Sequence, residues 1–269
     1  MPVHFEVRDG HIAVITIDFP ESRNAFDMYA FRDLAACWHR CAEDGDIWVA
    51  IVTGVPGHFM SGANLKTFIP QVTELQAKIQ AGEVTELDGC KLSDSTDAVL
   101  RGVKLNKPVI AAVDGPCVAG GMEMLCGTDI RLATPSASFG VMEPKRGLFA
   151  GGGTTVRLPR QIPYVHAMAF LLTAEAFPAE DALRMGLINE IVEPDVLMKK
   201  AFEWAERITA NAPLAVWGTK ESVLRGSRVS AKEAYDIESE IAGRIFMTED
   251  AKEGPRAFAE KRPPEWKAR

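Results

Sequence analysis

The sequence predicts an α/β fold with parallel strands, extended by a helical tail. Three observations carry this expectation. The apolar runs WVAIVTG (48–54) and PVIAAVDG (108–115), both closing on glycine, and DIRLA (129–133) read as buried strands. Helical patterns of modest length lie between them, and strand, turn, helix, strand in repetition argues parallel pairing with right-handed crossovers. From about Pro194 onward nearly everything carries apolar residues at three- and four-residue spacing, which is the helical period.

In chain order, VHFEV and HIAVITID flank Asp9-Gly10, a short-hairpin signal because glycine and aspartate tolerate the positive φ of tight turns. Residues 28–43 place Phe31, Leu34, Ala35, Trp38 and Cys41 on one helical face. Residues 69–106 are the least regular, with Pro70, Gly82, Gly89 and the polar run Ser93 to Asp97, although VTELQAKIQ is helical in pattern. This segment reads as a mobile flap or pocket wall, with a surface insertion lacking function as the competing reading. In the tail, residues 197–209, 213–225 and 231–247 are striped like helices and are broken at Asn211-Ala212-Pro213 and Arg225-Gly226-Ser227. The expected division is an α/β body over 1–195 and a helical part over 196–269.

Composition narrows the function. The 269 residues suffice for a large core, and 47% apolar with 25% charged is ordinary for a soluble protein. With 30 Lys and Arg against 37 Asp and Glu, the net charge is −7, a poor balance for nucleic-acid binding. The five cysteines are odd in number and lack a CxxC, so neither a disulfide framework nor a zinc knuckle is expected. Cys37 and Cys41 read as two small buried hydrophobes of a helix rather than a metal pair. The start, MPVHFEVRDGHIAV, has no basic stretch followed by an apolar core, and no apolar run reaches the roughly 18 residues of a membrane helix. A reducing, cytoplasmic compartment is therefore expected.

Familiar motifs are missing: GxGxxG, GxxxxGK[ST] and GxSxG do not occur, and the five histidines show no metal-ligand spacing. Three glycine-bearing turns remain: HFMSGANLKTF (58–68), VAGGMEM (118–124) and the stretch 138–158 that opens SFGVMEPKRG. Each follows an expected strand, and turns after parallel strands gather at one sheet edge, where ligands bind. Two should open helices, so their free amides favour negative charge, and two amides aimed at one point make an oxyanion hole. Glu123 and Glu143 accompany the second and third turns. If the turns converge, two carboxylates share a pocket, and like charges raise at least one pKa, giving an acid and a base. The competing reading is structural: Glu123 favouring a helix dipole, Glu143 paired with Lys145, Arg146 or Arg157.

These residues resemble a known family. FMSGANLK, KPVIAAVDGPCVAGGMEMLCGTDIRLAT, ASFGVMEPKRGL, GGGTTVRLPRQI and AEDALRMGLINEIV look like the crotonase superfamily, and specifically the enoyl-CoA hydratases. The closing TEDAKEGPRAFAEKRPPEW is also similar, so the resemblance runs almost from end to end. It implies a spiral of ββα turns with a helical trimerisation region. It implies an acyl-CoA thioester whose carbonyl is held by the amides of Ala63 and Gly120, with Ala63, Asn64, Leu65 and Lys66 running along the CoA. It implies that Glu123 and Glu143 hold one water, Glu123 activating it and Glu143 exchanging the proton at the α carbon, to give a 3-hydroxyacyl-CoA. No metal and no redox cofactor are implied, coenzyme A being part of the substrate. A homotrimer or dimer of trimers is implied, with no membrane or nucleic-acid partner.

The sequence departs from the commoner family pattern at Asn64, where aspartate is frequent, at Ala150 for proline and at Thr154 for glycine. The turn Pro144-Lys145-Arg146 is more basic than usual and residues 69–106 are longer, which bears on the acyl group. Many superfamily members lose one or both acids; keeping both favours a hydratase. The alternatives are an enoyl-CoA isomerase, a carnitinyl-CoA-type dehydratase or a non-catalytic acyl-CoA-binding protein. A nicotinamide-dependent reductase is disfavoured by the missing phosphate turn.

Overall fold

In the computed structural model, which describes residues 3–269, strands β1 (Val3–Arg8) and β2 (Ile12–Ile17) form the expected antiparallel hairpin. Gly10 and His11 take positive φ at its tip. The chain continues through β3 (Ala25–Phe26), α1 (Met28–Glu43), β4 (Val49–Gly54), β5 (Gly62–Ala63), α2 (Phe68–Gln80) and α3 (Asp94–Ala98). Next come β6 (Val109–Val113), β7 (Pro116–Val118), α4 (Gly120–Leu125), β8 (Ile130–Ala133), β9 (Ser138–Gly140), α5 (Thr154–Gln161) and α6 (Tyr164–Thr173). After β10 (Phe177–Pro178), α7 (Ala179–Arg184) and β11 (Glu190–Ile191), the chain is helical: α8 (Leu197–Thr209), α9 (Pro213–Gly226), α10 (Ala231–Phe246) and α11 (Glu249–Glu260). A long strand, a short strand and a helix thus follow one another at β2-β3-α1, β4-β5-α2, β6-β7-α4 and β8-β9-α5, which is a spiral of ββα turns.

The long strands form one sheet in the order β1-β2-β4-β6-β8-β11, parallel except for β1 against β2. The short strands form a second layer in which β7 pairs parallel with β9 and β3 with β5. Strands β4 and β6 are apolar without alternation because both sheet faces are covered. Ala50, Val52, Val109 and Ala111 share a core with Leu34 and Trp38 of α1. On the other face, Val49, Ile51, Ile110 and Ala112 pack with Leu197, Ala201 and Ala205 of α8.

Asp27 caps α1, accepting from the Ala30 amide at 2.9 Å. All five cysteines are buried and unpaired, and burial lifts the Cys37 thiol to about 11 and the Cys41 thiol to about 12. From residues 69–106, helices α2 and α3 pack against α1. Leu75 and Cys90 join Met28 in a satellite apolar cluster. The Trp38 indole donates to the Ala98 carbonyl at 2.9 Å, and His39 meets Asp97 at 3.1 Å.

In the tail, Ser230 and Glu233 form a capping box at the start of α10. Helices α9 and α10 pack closely at Gly218, where a β-carbon would stand 3.1 Å from Ile241. Lys220 ties α9 to Asp129 at 2.6 Å. Among the described residues, no helix is long and apolar enough to cross a membrane.

Candidate active site

The three glycine turns converge through backbone hydrogen bonds around β7. The Met60 amide donates to the Pro116 carbonyl at 3.1 Å and the Val118 amide to the Met60 carbonyl at 3.0 Å. On the other side β7 pairs with β9, and the Ala119 amide reaches the Gly140 carbonyl at 2.9 Å. Close approach needs bare glycines. A β-carbon on Gly62 would stand 2.7 Å from the Gly120 nitrogen, and one on Gly121 would stand 2.3 Å from the Met60 carbonyl oxygen. The chain turns from strand to helix at Ala119, with φ 49° and ψ −122°, a conformation that costs an alanine about 1–3 kcal/mol. Gly120 is the first residue of α4, so its amide has no acceptor within the helix. Ala63 thus follows the glycine on which a β-carbon would crowd the Gly120 nitrogen.

Glu123 points inward from α4 and is only 9% exposed. The Gly152 amide donates to its Oε1. A β-carbon on Gly152 would stand 2.1 Å from Oε2, so this glycine too is a close-approach position. Burial, and next the charge of Glu143, push the Glu123 carboxyl up to about 7. The Gly152 amide, Arg101 and Arg157 oppose that rise.

Glu143 begins a single tight turn, Glu143–Arg146, closed by Gly147 at φ 67°. Burial raises its pKa, against the pull of the Glu143 and Met142 amides. Its Oε2 is buried without a hydrogen-bond partner among the described residues. The ion pairs expected on the structural reading do not form among the described residues: Glu143 pairs with none of Lys145, Arg146 and Arg157. Arg157 donates instead to the carbonyls of Val99 at 3.0 Å, of Leu100, and of Glu123 at 3.4 Å.

Asn64 follows Ala63, its amide on the Phe26 carbonyl at 2.7 Å and its carbonyl accepting from Phe68 at 2.8 Å. Its side chain accepts from the Lys66 amide at 3.2 Å, and Leu65 and Lys66 lie exposed on the rim. The fold therefore brings Ala63 next to Gly120, sets Glu123 within reach of the Glu143 charge, and puts residues 64–66 at the edge. Reading the sequence missed Gly152 and Arg101. The run Gly151 to Gly153 signals a close approach without saying to what, and nothing in the sequence marks Arg101. Among the described residues, no three His, Cys, Asp or Glu gather as metal ligands would. Chemically, the arrangement puts the first amides of α4 near two carboxyls that burial raises above their ordinary pKa.

The sequence profile of the enoyl-CoA hydratase/isomerase family matches residues 8–269. Enoyl-CoA hydratase EchA19 of Mycobacterium tuberculosis is 42% identical over 262 residues, 97% of this chain and 95% of that protein. The (E)-benzylidenesuccinyl-CoA hydratase of Thauera aromatica is 38% identical over 265 residues, 98% of each chain. The crystal structure of enoyl-CoA hydratase from Mycobacterium tuberculosis H37Rv superposes with a TM-score of 0.85 at 37% identity, covering 100% of this chain and 99% of that one.

Proposed function

The chain belongs to the enoyl-CoA hydratase/isomerase family, and from that premise we propose that it adds water reversibly to a trans-2-enoyl-CoA, giving a 3-hydroxyacyl-CoA. The amides of Ala63 and Gly120 hold the thioester oxygen, and each such donor is worth about 10²- to 10³-fold in rate. Asn64, Leu65 and Lys66 run along the CoA. Glu123 and Glu143 hold one water and one proton between them. Glu123 takes a proton from the water as its oxygen bonds to the β carbon. The electron pair moves onto the thioester oxygen as enolate, and Glu143 delivers a proton to the α carbon as the enolate collapses. Glu123 ends protonated and Glu143 ionised, and one proton passing back through solvent resets the pair.

The observation that carries this reading is the buried Glu123 carboxyl, lifted to about 7 beside a Glu143 with an unsatisfied buried oxygen. Two buried carboxyls, both raised above the ordinary glutamate range, suit acid and base work in one site. Coenzyme A belongs to the substrate, and the mechanism needs no metal or redox cofactor. We also take residues 1–195 as the acyl-CoA-binding core and 196–269 as a helical oligomerisation region of a homotrimer or dimer of trimers. The net charge of −7 fits a protein without a nucleic-acid partner, and five unpaired thiols fit a cytoplasmic compartment. Product analysis tests the reaction. A product heavier than the enoyl-CoA by one water supports hydration, a shifted double bond at unchanged mass means isomerisation, and unaltered bound thioester means a binding protein.

A further inference from the structure

We propose that Arg101 is a positioning residue for the carboxylate of Glu123, acting through the single peptide group that joins Gly151 to Gly152. Arg101 Nη1 donates to the Gly151 carbonyl at 2.5 Å. The amide on the other side of that same peptide, Gly152 N–H, donates to Glu123 Oε1. A cation on the carbonyl end polarises the peptide and strengthens the donor at its amide end. Neither residue of this peptide has a side chain, so packing does little to fix its orientation. The guanidinium at one end and the carboxylate at the other supply that orientation.

The strand of chain carrying Arg101 is held in return. Arg157 reaches from α5 to the carbonyls of Val99 and Leu100, immediately before Arg101, and to the carbonyl of Glu123 itself. Leu100 takes φ 60° to allow the turn. The Arg101 amide closes on the Thr96 carbonyl at 2.9 Å. Residues 69–106, fixed along α1 through Trp38 and His39, thereby reach the candidate site without lending it a reacting group. The charged groups facing the Glu123 carboxyl are Glu143 from its turn, Arg157 from α5 and Arg101 from this segment.

The inference rests on reading Glu123 as the water-activating base. The test compares wild type with Arg101→Ala, Arg101→Lys and Glu123→Gln, measuring kcat, KM and the pH profile on a trans-2-enoyl-CoA that wild type hydrates. Arg101→Ala should lower kcat by about 10- to 100-fold, as misplacement of a catalytic group does, with KM within about threefold. It should also move the acid limb of kcat/KM to higher pH, because Glu123 loses a stabilising cation. Arg101 borders an open cleft of about 660 Å³, so solvent keeps that move to roughly half a pH unit. Arg101→Lys should restore part of the limb. An unmoved limb, or a loss that only follows a lowered melting temperature, overturns the proposal. If wild type hydrates nothing, the functional reading fails instead. The proposal is then decided by titrating isotope-labelled glutamate, assigned through Glu123→Gln. Its midpoint should rise in Arg101→Ala, and an unchanged midpoint overturns it.

Discussion

Glu123 sits where an ionised carboxylate is disfavoured, and pH can read the consequence. A glutamate ordinarily titrates near 4.5, and here burial and Glu143 push it to about 7. Between those values the folded chain holds a proton that the unfolded chain has released, so this group's contribution to stability falls as pH rises. The full effect is at most roughly 3 kcal/mol. Glu123→Gln, which cannot ionise, should therefore melt above wild type at pH 8, with the advantage shrinking toward pH 5. A difference independent of pH would show that the penalty does not reside at Glu123. The same substitution, and Glu143→Gln, should lower hydration by about 10²- to 10⁴-fold, the usual worth of a positioned acid or base. At this scale the two acids were legible in the sequence as residue types beside glycine turns. Their convergence was not, because 20 positions of chain carry no distance. Gly152 was hidden for the same reason: its partner is a side chain on another element.

At the scale of elements, the site depends on turns being pressed together, and two glycines separate fold from chemistry. A methyl at Gly121 would stand 2.3 Å from the Met60 carbonyl oxygen, a backbone atom that cannot swing aside as a side-chain end can. Gly121→Ala should cost about 2 kcal/mol or more in stability, and activity should fall with it. A methyl at Gly152 would meet the end of the Glu123 side chain, which can swing aside. Gly152→Ala should leave the melting temperature within a few degrees yet lower kcat by about 100-fold. Thermal melts and kcat on the two variants check the contrast, and the reverse pattern would put the chemistry elsewhere. Strands β4, β6 and β8 were legible as apolar runs and β2 from its hairpin signal, while helices α1 and α8–α10 run long enough to show a period. Strands of two or three residues, such as β3, β5 and β7, cannot show one. The residue pattern alone therefore missed the second layer, which the family resemblance supplied.

On the scale of the whole molecule, several large apolar side chains face water. Phe246, Met247 and Phe258 near the ends of α10 and α11 are 76%, 80% and 87% exposed, and Tyr164, Val165 and Leu172 of α6 are similarly open. Where such side chains join into one contiguous surface, association covers it. The homotrimer or dimer of trimers we propose should sediment as three or six chains at micromolar concentration, and a single chain there would count against it. The tail's helices were legible from their stripes, but the docking of α8 on the sheet was not, since a stripe does not name the surface it covers. Hydration by Glu123 and Glu143 can be followed as the loss of enoyl-thioester absorbance. A panel of trans-2-enoyl-CoAs would be followed with wild type, Glu123→Gln and Glu143→Gln. Wild type should consume at least one chain length with uptake of water, and each variant should be slower by orders of magnitude. Wild type that binds these thioesters without consuming them, or variants that match it, would rule out hydration by this pair.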